Sequence, residues 1–294
     1  MQVKVYAKLN LTLSVGARQG EFHPIDSVTT SIDLCDVVEV TPRNDSEVYV
    51  SGVDEVEQTR NTAYKAARAF VEAFSATGVD VTIGKGIPFG GGLGGSSADA
   101  AAVLYCMCKL HGVDVDCKEV RALCAKLGSD VTFMLHGGLG RLRGKGDEVE
   151  FFDLKQPIYF ALTAFEQEMS SREVYAAFDS VIARCGKDDI KKLPFENSNN
   201  AELLTLLEQG AHKQALSHFK NDLQQATKEI SDYAEPYLQF AKANGLNAVM
   251  TGSGSAYYVA FTTRVEAQHA VDLLNSHGFH TTLCQTVPSG IELN

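Results

Sequence analysis

The sequence predicts an α+β protein of two domains, and three observations carry that prediction. The first half mixes short alternating apolar and polar stretches with helical patterns, and a glycine-rich segment interrupts it. The second half reads strand, helices, strand, strand, helix, strand, which is the order of a split βαβ, ferredoxin-like unit. The total of 294 residues suits two domains at about 100–200 residues each. The boundary is placed near residue 155, giving an N-terminal domain over 1–155 and a C-terminal domain over 156–294.

Taken in order, Val3 to Val15 alternates as a half-buried strand pair, and Val37–Thr41 and Val48–Ser51 repeat that rhythm. Asn61 caps a helix whose Ala63, Ala67, Phe70 and Phe74 share one face. Val79–Ile83 reads as a strand, and after the glycines Ala98–His111 reads as a buried helix. Cys117–Leu127 is a further helix stopped by Gly128, and Ser129 caps a short one starting at Asp130. Leu139–Phe152 has a hairpin rhythm around Gly144-Lys145-Gly146-Asp147. In the second half, strands are expected at Ile158–Thr163, Asn247–Met250, Tyr257–Phe261 and Thr281–Gln285. Helices are expected at Ser171–Arg184, Ala201–Leu207, Leu223–Ala243 and Val265–His277.

Composition excludes several classes of function. With 26 Lys+Arg against 37 Asp+Glu the formal charge is −11, and no basic run offers a face to nucleic acid. The longest apolar run, Ala100–Cys108, is nine residues, about half a membrane span, and no secretory hydrophobic region opens the chain. A cytoplasmic protein with no membrane partner is expected. Seven cysteines (Cys35, Cys106, Cys108, Cys117, Cys124, Cys185 and Cys284) include no CxxC pair, so neither disulfide nor zinc is assigned.

The strongest chemical signal is Pro88-Phe89-Gly90-Gly91-Gly92-Leu93-Gly94-Gly95-Ser96-Ser97 leading into a helix. Glycines let backbone N–H groups curl around a ligand, and a helix start aims its positive end into the same space. Ser96 and Ser97 add hydroxyls for a phosphate oxygen or a magnesium ion. The combination suits a polyphosphate better than a flexible surface loop. No Gly-Lys-Ser/Thr closes a P-loop. Gly90, Gly92 and Gly95 formally meet a dinucleotide fingerprint, but Val113–Asp116 is too short for the second parallel strand it needs. Taken alone, Lys8 is either an edge lysine or a functional cation, Asp130 reads as a helix-dipole or capping acid, and Thr251–Ser255 is either a turn or part of a site.

Together these pieces resemble the galactokinase, homoserine kinase, mevalonate kinase and phosphomevalonate kinase (GHMP) superfamily. Three motifs fall in its order: Ala7-Lys8-Leu9-Asn10, the Pro88–Ala100 glycine loop, and Met250-Thr251-Gly252-Ser253-Gly254. Ala7–Leu11 followed by Phe22-His23, then Leu127–Val131 and Phe219–Leu223, are most similar to its diphosphocytidyl-methylerythritol kinase branch.

The resemblance implies a GHMP-kinase-like fold with a ferredoxin-like C-terminal domain, and ATP-dependent phosphorylation of a small alcohol. ATP would lie with its adenine near Asn61 and its phosphates along Pro88 and Gly90–Ser97, including Gly91, Leu93 and Gly94, with Mg2+ at Ser97 or Ser96. Asp130 would be the general base and Lys8 would hold it; phosphoryl transfer needs little beyond positioning and charge neutralisation. Asn10, Phe22, His23, Phe219, Thr251 and Gly252 would bind the small-molecule substrate. The partner set is that substrate alone, for a monomer or homodimer. Two departures stand out. Gly20-Glu21-Phe22-His23 replaces the usual Asp-Gly-Tyr-His, and the serine pair sits one position early, leaving Ala98 where a second serine is usual.

Overall fold

The first strand, β1 (Gln2–Asn10), is fully buried from Val5 onward rather than half-buried. It turns at Leu11 into β2 (Thr12–Val15). Its burial follows from β3 (Ile25–Pro42), an 18-residue strand of which the sequence rhythm shows only the last part. Ser27, Thr29, Thr30 and Ser31 are all buried there, so the hydroxyls that hide the strand from a hydrophobicity reading are interior groups. A computed structural model describes residues 1–53, 56–184, 195 and 198–294. Cys185 lies outside the described residues, and the other six cysteines are free thiols.

β3 pairs antiparallel with β1, β2, β5 (Val79–Gly84) and β6 (Leu139–Gly144), while β4 (Val48–Ser51) runs parallel to β5. β6 and β7 (Glu148–Phe152) form the expected hairpin. A register shift between Tyr6 and Ala7 sets Lys8 opposite Ser31 and Asn10 opposite Thr29. Residues two apart on a strand share a face, so Lys8 and Asn10 emerge on the same side. Against the sheet pack α1 (Thr62–Phe74) and α2 (Gly95–His111), the latter starting three residues earlier than its apolar pattern. Asn61 caps α1, its side-chain oxygen accepting from the N–H groups of Ala63 at 2.8 Å and Tyr64 at 3.4 Å.

α3 (Lys118–Leu127) is followed by α4 (Val131–His136). Ser129 is not its cap. Asp130 holds that position, without a side-chain capping bond. Gly128 stands at φ 165°, extended rather than left-handed.

The second sheet contains β8 (Tyr159–Thr163), β10 (Ala248–Met250), β11 (Tyr257–Phe261) and β12 (Thr281–Gln285), in the order β10-β11-β8-β12, all antiparallel. That is the ferredoxin-like arrangement the element order predicts. Along the chain, α5 (Ser171–Arg184), α6 (Asn200–Glu208) and α7 (His212–Ala215) lie between β8 and β10, and α10 (Arg264–Ser276) lies between β11 and β12. The single helix expected over 223–243 is two, α8 (Leu223–Ile230) and α9 (Glu235–Ala243), broken where Ser231 turns extended and Pro236 opens the next helix. Two short strands from the second half return to the first sheet. β9 (Lys220–Asn221) runs parallel to β2, and β13 (Ile291–Leu293) runs antiparallel to β1.

Candidate active site

The glycine loop lies between β5 and α2 and lines a chamber of about 470 Å3. Gly90, Gly92 and Gly94 have φ of 68°, 72° and 77°, a region costly for residues with a Cβ. A Cβ at Gly92 would sit 2.3 Å from the Thr251 carbonyl oxygen, and one at Gly94 would sit 2.1 Å from Met134 Cε and 3.1 Å from Lys8 Cγ. Gly92 is therefore required by a backbone neighbour, and Gly90 and Gly94 by their left-handed φ, besides any close approach of a ligand. The loop is strapped on two sides: the Lys8 N–H donates to Leu93 O, and the Ser255 and Ala256 N–H groups donate to Gly90 and Gly91.

Lys8 is 5% exposed and its ammonium reaches the chamber. Nζ donates to Asn10 Oδ1 at 2.5 Å and lies 3.6 Å from Asp130 Oδ2. Asn10 Oδ1 also accepts from the Gly252 N–H, and Asn10 Nδ2 donates to Ser27 and Thr29. Its carboxamide is thus engaged by protein partners at both ends, and its visible task is to hold the Lys8 ammonium. Asp130, at the N-cap position of α4, keeps its carboxylate free of capping duty and at the chamber wall.

Two further cations, Lys85 and Lys145, were not found by the sequence reading. Lys85 lines the chamber and is gripped from behind by two buried carboxylates, Asp36 and Asp99. Burial, reinforced by Asp36 and opposed by Lys85, pushes the Asp99 carboxyl up to about 7. A charged residue in a glycine-flanked Gly84-Lys85-Gly86 context was the available signal.

A second chamber of about 570 Å3 adjoins the first, and Ile25, Ser129, Lys145, Ser171 and Tyr175 line both. Phe22 and His23 stand in it, with Lys145 Nζ 4.7 Å above the Phe22 ring. The second aromatic there is Tyr175 from α5. Its hydroxyl is pushed up to about 12 by burial and by the charge of Asp130.

Of the expected site residues, Lys8, Asn10, Pro88, Gly90–Ser97, Asp130 and Gly252 meet in the first chamber. Three do not line either chamber. Phe219 is 5% exposed and packs with the Tyr258 ring in the core, because the extended Phe219–Asn221 segment buries that face. Thr251 is fully buried, its Oγ1 accepting from the Asn10 N–H. Asn61 directs its oxygen into the α1 cap. Among the described residues no group of three His, Cys, Asp or Glu could hold a metal ion.

The chain matches the family model of the GHMP kinase N-terminal domain over residues 61–138 and that of the C-terminal domain over 195–280. It is 32% identical to the 4-diphosphocytidyl-2-C-methyl-D-erythritol kinase of Desulfitobacterium hafniense, across 99% of this chain and 97% of that protein. The chain belongs to the GHMP kinases. The relative of the same name from Clostridium tetani is 29% identical, over 98% of this chain and all of that one. A crystal structure of 4-(cytidine 5'-diphospho)-2C-methyl-D-erythritol kinase superposes with TM-score 0.77 at 26% identity, covering 98% of this chain and 100% of that one. Homoserine kinase from Cytophaga hutchinsonii shares the fold, with TM-score 0.76 at 16% identity over 99% and 96% of the two chains. This GHMP kinase is an ATP-dependent small-molecule kinase. Among its described residues no helix is long and apolar enough to cross a membrane.

Proposed function

We propose that this kinase transfers the γ-phosphoryl group of ATP to the 2-hydroxyl of 4-diphosphocytidyl-2-C-methyl-D-erythritol. One observation carries the reading: a chamber bounded by glycines, a helix start and three lysines opens directly into one bounded by Phe22, His23 and Tyr175. The first suits a polyphosphate and the second a flat, polar-edged ring. Lys8 and Asp130 stand in the first chamber, beside residues common to both.

In this reading the N–H groups at the start of α2 hold the phosphates, and Lys85 adds positive charge. Asp130 accepts the substrate hydroxyl proton, and Lys8 orients that carboxylate and the transferring group. Mg2+ keeps most of its water and takes few protein oxygens, and the Ser96 and Ser97 hydroxyls and the Asp130 carboxylate are oxygen donors on the chamber wall. Bound there, Mg2+ supplies neutralising charge to the phosphates. The experiment is a turnover assay with Mg-ATP and the cytidine diphosphate of methylerythritol, run beside the same polyol phosphate without cytidine. Efficient turnover of the first alone supports the proposal. Equal turnover of both replaces the substrate with a simpler alcohol.

A further inference from the structure

His23 makes a contact that its expected role does not require. Its Nε2 lies 2.8 Å from Oδ1 of Asp179, on α5. Asp179 is one helical turn beyond Tyr175, so the helix presents the aromatic ring and the carboxylate on one face. The imidazole is 8% exposed, with the Tyr175 ring 5.0 Å away and the Phe178 ring edge-on at 6.0 Å. The second oxygen of Asp179 lies 3.8 Å from the Arg18 guanidinium, which also donates to Gly20 O. Carboxylate, imidazole and guanidinium all line the second chamber. His23 Nδ1 has no hydrogen-bond partner among the described residues.

A carboxylate only accepts hydrogen bonds, so the nitrogen facing it must carry the proton. In the neutral ring the other nitrogen is then an acceptor. We propose that Asp179 is a positioning residue for base selection: it fixes His23 as the Nε2–H tautomer, so that Nδ1 accepts from the exocyclic amino group of cytosine and rejects the carbonyl that uracil carries there. The inference rests on the cytidine substrate proposed above and names the pair that reads its base. With uracil, two acceptors would face each other at an imidazole that is already buried among Tyr175, Phe178 and Asp179. A buried unpaired polar group costs about 1–3 kcal/mol, or roughly 5- to 150-fold in relative affinity.

The test uses the full-length enzyme with Mg-ATP and either the cytidine substrate or its uridine counterpart. The wild type favours cytidine by at least about tenfold in kcat/KM. In Asp179→Ala that ratio falls toward unity through KM, with kcat for the cytidine substrate held within about threefold, and Asp179→Glu restores part of it. Two-bond 1H–15N spectra at pH 8, with His23 assigned by its loss in His23→Gln, show Nε2–H in the wild type and mixed tautomers in Asp179→Ala. A wild-type ring protonated at Nδ1, or an unchanged base ratio in Asp179→Ala that still turns over the cytidine substrate, overturns the inference alone. A wild type inactive on both substrates overturns the function proposed above, and this inference with it.

Discussion

Lys8 Nζ sits between Asn10 Oδ1 at 2.5 Å and Asp130 Oδ2 at 3.6 Å, joining the first strand to the start of α4. Because Asp130 makes no side-chain capping bond, a neutral isostere disturbs only its 3.6 Å ion pair with Lys8. Asp130→Asn is expected to lower kcat by about 10²- to 10⁴-fold, the usual contribution of a general base. Folding stability should move by less than about 0.5 kcal/mol. Steady-state kinetics and a thermal melt on the same preparation check both halves. Near-normal turnover would return Asp130 to the status of a helix-start acid.

Gly94→Ala tests the close packing under the loop. The new methyl would meet Met134 Cε at 2.1 Å and Lys8 Cγ at 3.1 Å, at a φ of 77°. Overpacking costs about 1–3 kcal/mol and a left-handed residue about 1–2 kcal/mol more. The variant should melt earlier and also lose kcat, since Lys8, which holds Asp130 in the proposed mechanism, is among the crowded neighbours. A fall in ATP affinity with unchanged stability would instead mean that the space belongs to the nucleotide.

Phe219 and Tyr175 are expected to behave oppositely. Tyr175→Ala should raise KM for the cytidine substrate about tenfold or more, as loss of a base-stacking face does, while KM for ATP stays nearly constant. Phe219→Ala removes a core ring and should destabilise by about 3–5 kcal/mol, with no selective effect on substrate KM. Paired kinetics and denaturant melts separate them. A cytidine-selective KM defect in Phe219→Ala would refute its interior placement.

Asp99 predicts a dependence of stability on pH. Burial holds its carboxyl at about 7 in the folded chain against 3.8 as the ordinary value. Between those values the folded state binds the proton more often than the unfolded state, so stability from this group falls as pH rises from about 4 to 7. The loss is complete above that range. Asp99→Asn removes the titration, so the drop in melting temperature between pH 5 and pH 8 should be smaller than in the wild type. Parallel melting curves of equal slope would show that Asp99 is ionised throughout.

The regular periodicities were legible in sequence because they report single-face burial, as in α1 and the hairpin of β6 and β7. The long β3 was not. Its Ser27–Ser31 hydroxyls are buried in a segment paired by β1 on one side and β6 on the other, which no local pattern reveals. The site was legible where one segment carries it, as in the glycine loop, or where a strand pair such as Lys8 and Asn10 shares a face. Tyr175, Lys145 and Asp179 lie on elements brought together by tertiary packing alone. Phe219 shows the converse: an aromatic in a suggestive segment whose strand geometry turns the ring inward.

β13 has a bearing on how the molecule is made. The edge of β1, the strand that carries Lys8, is completed by Val3 to Val5 pairing with Ile291 to Leu293, and the Asn294 N–H reaches back to Gln2. During translation the first strand leaves the ribosome long before its last partner. Until then its outer edge is an open template for pairing with another chain. Closing so long a loop is slow, although its entropic cost grows only with the logarithm of length. Removing the residues from Ile291 onward should therefore raise losses to aggregation during synthesis, even though those residues lie outside both chambers.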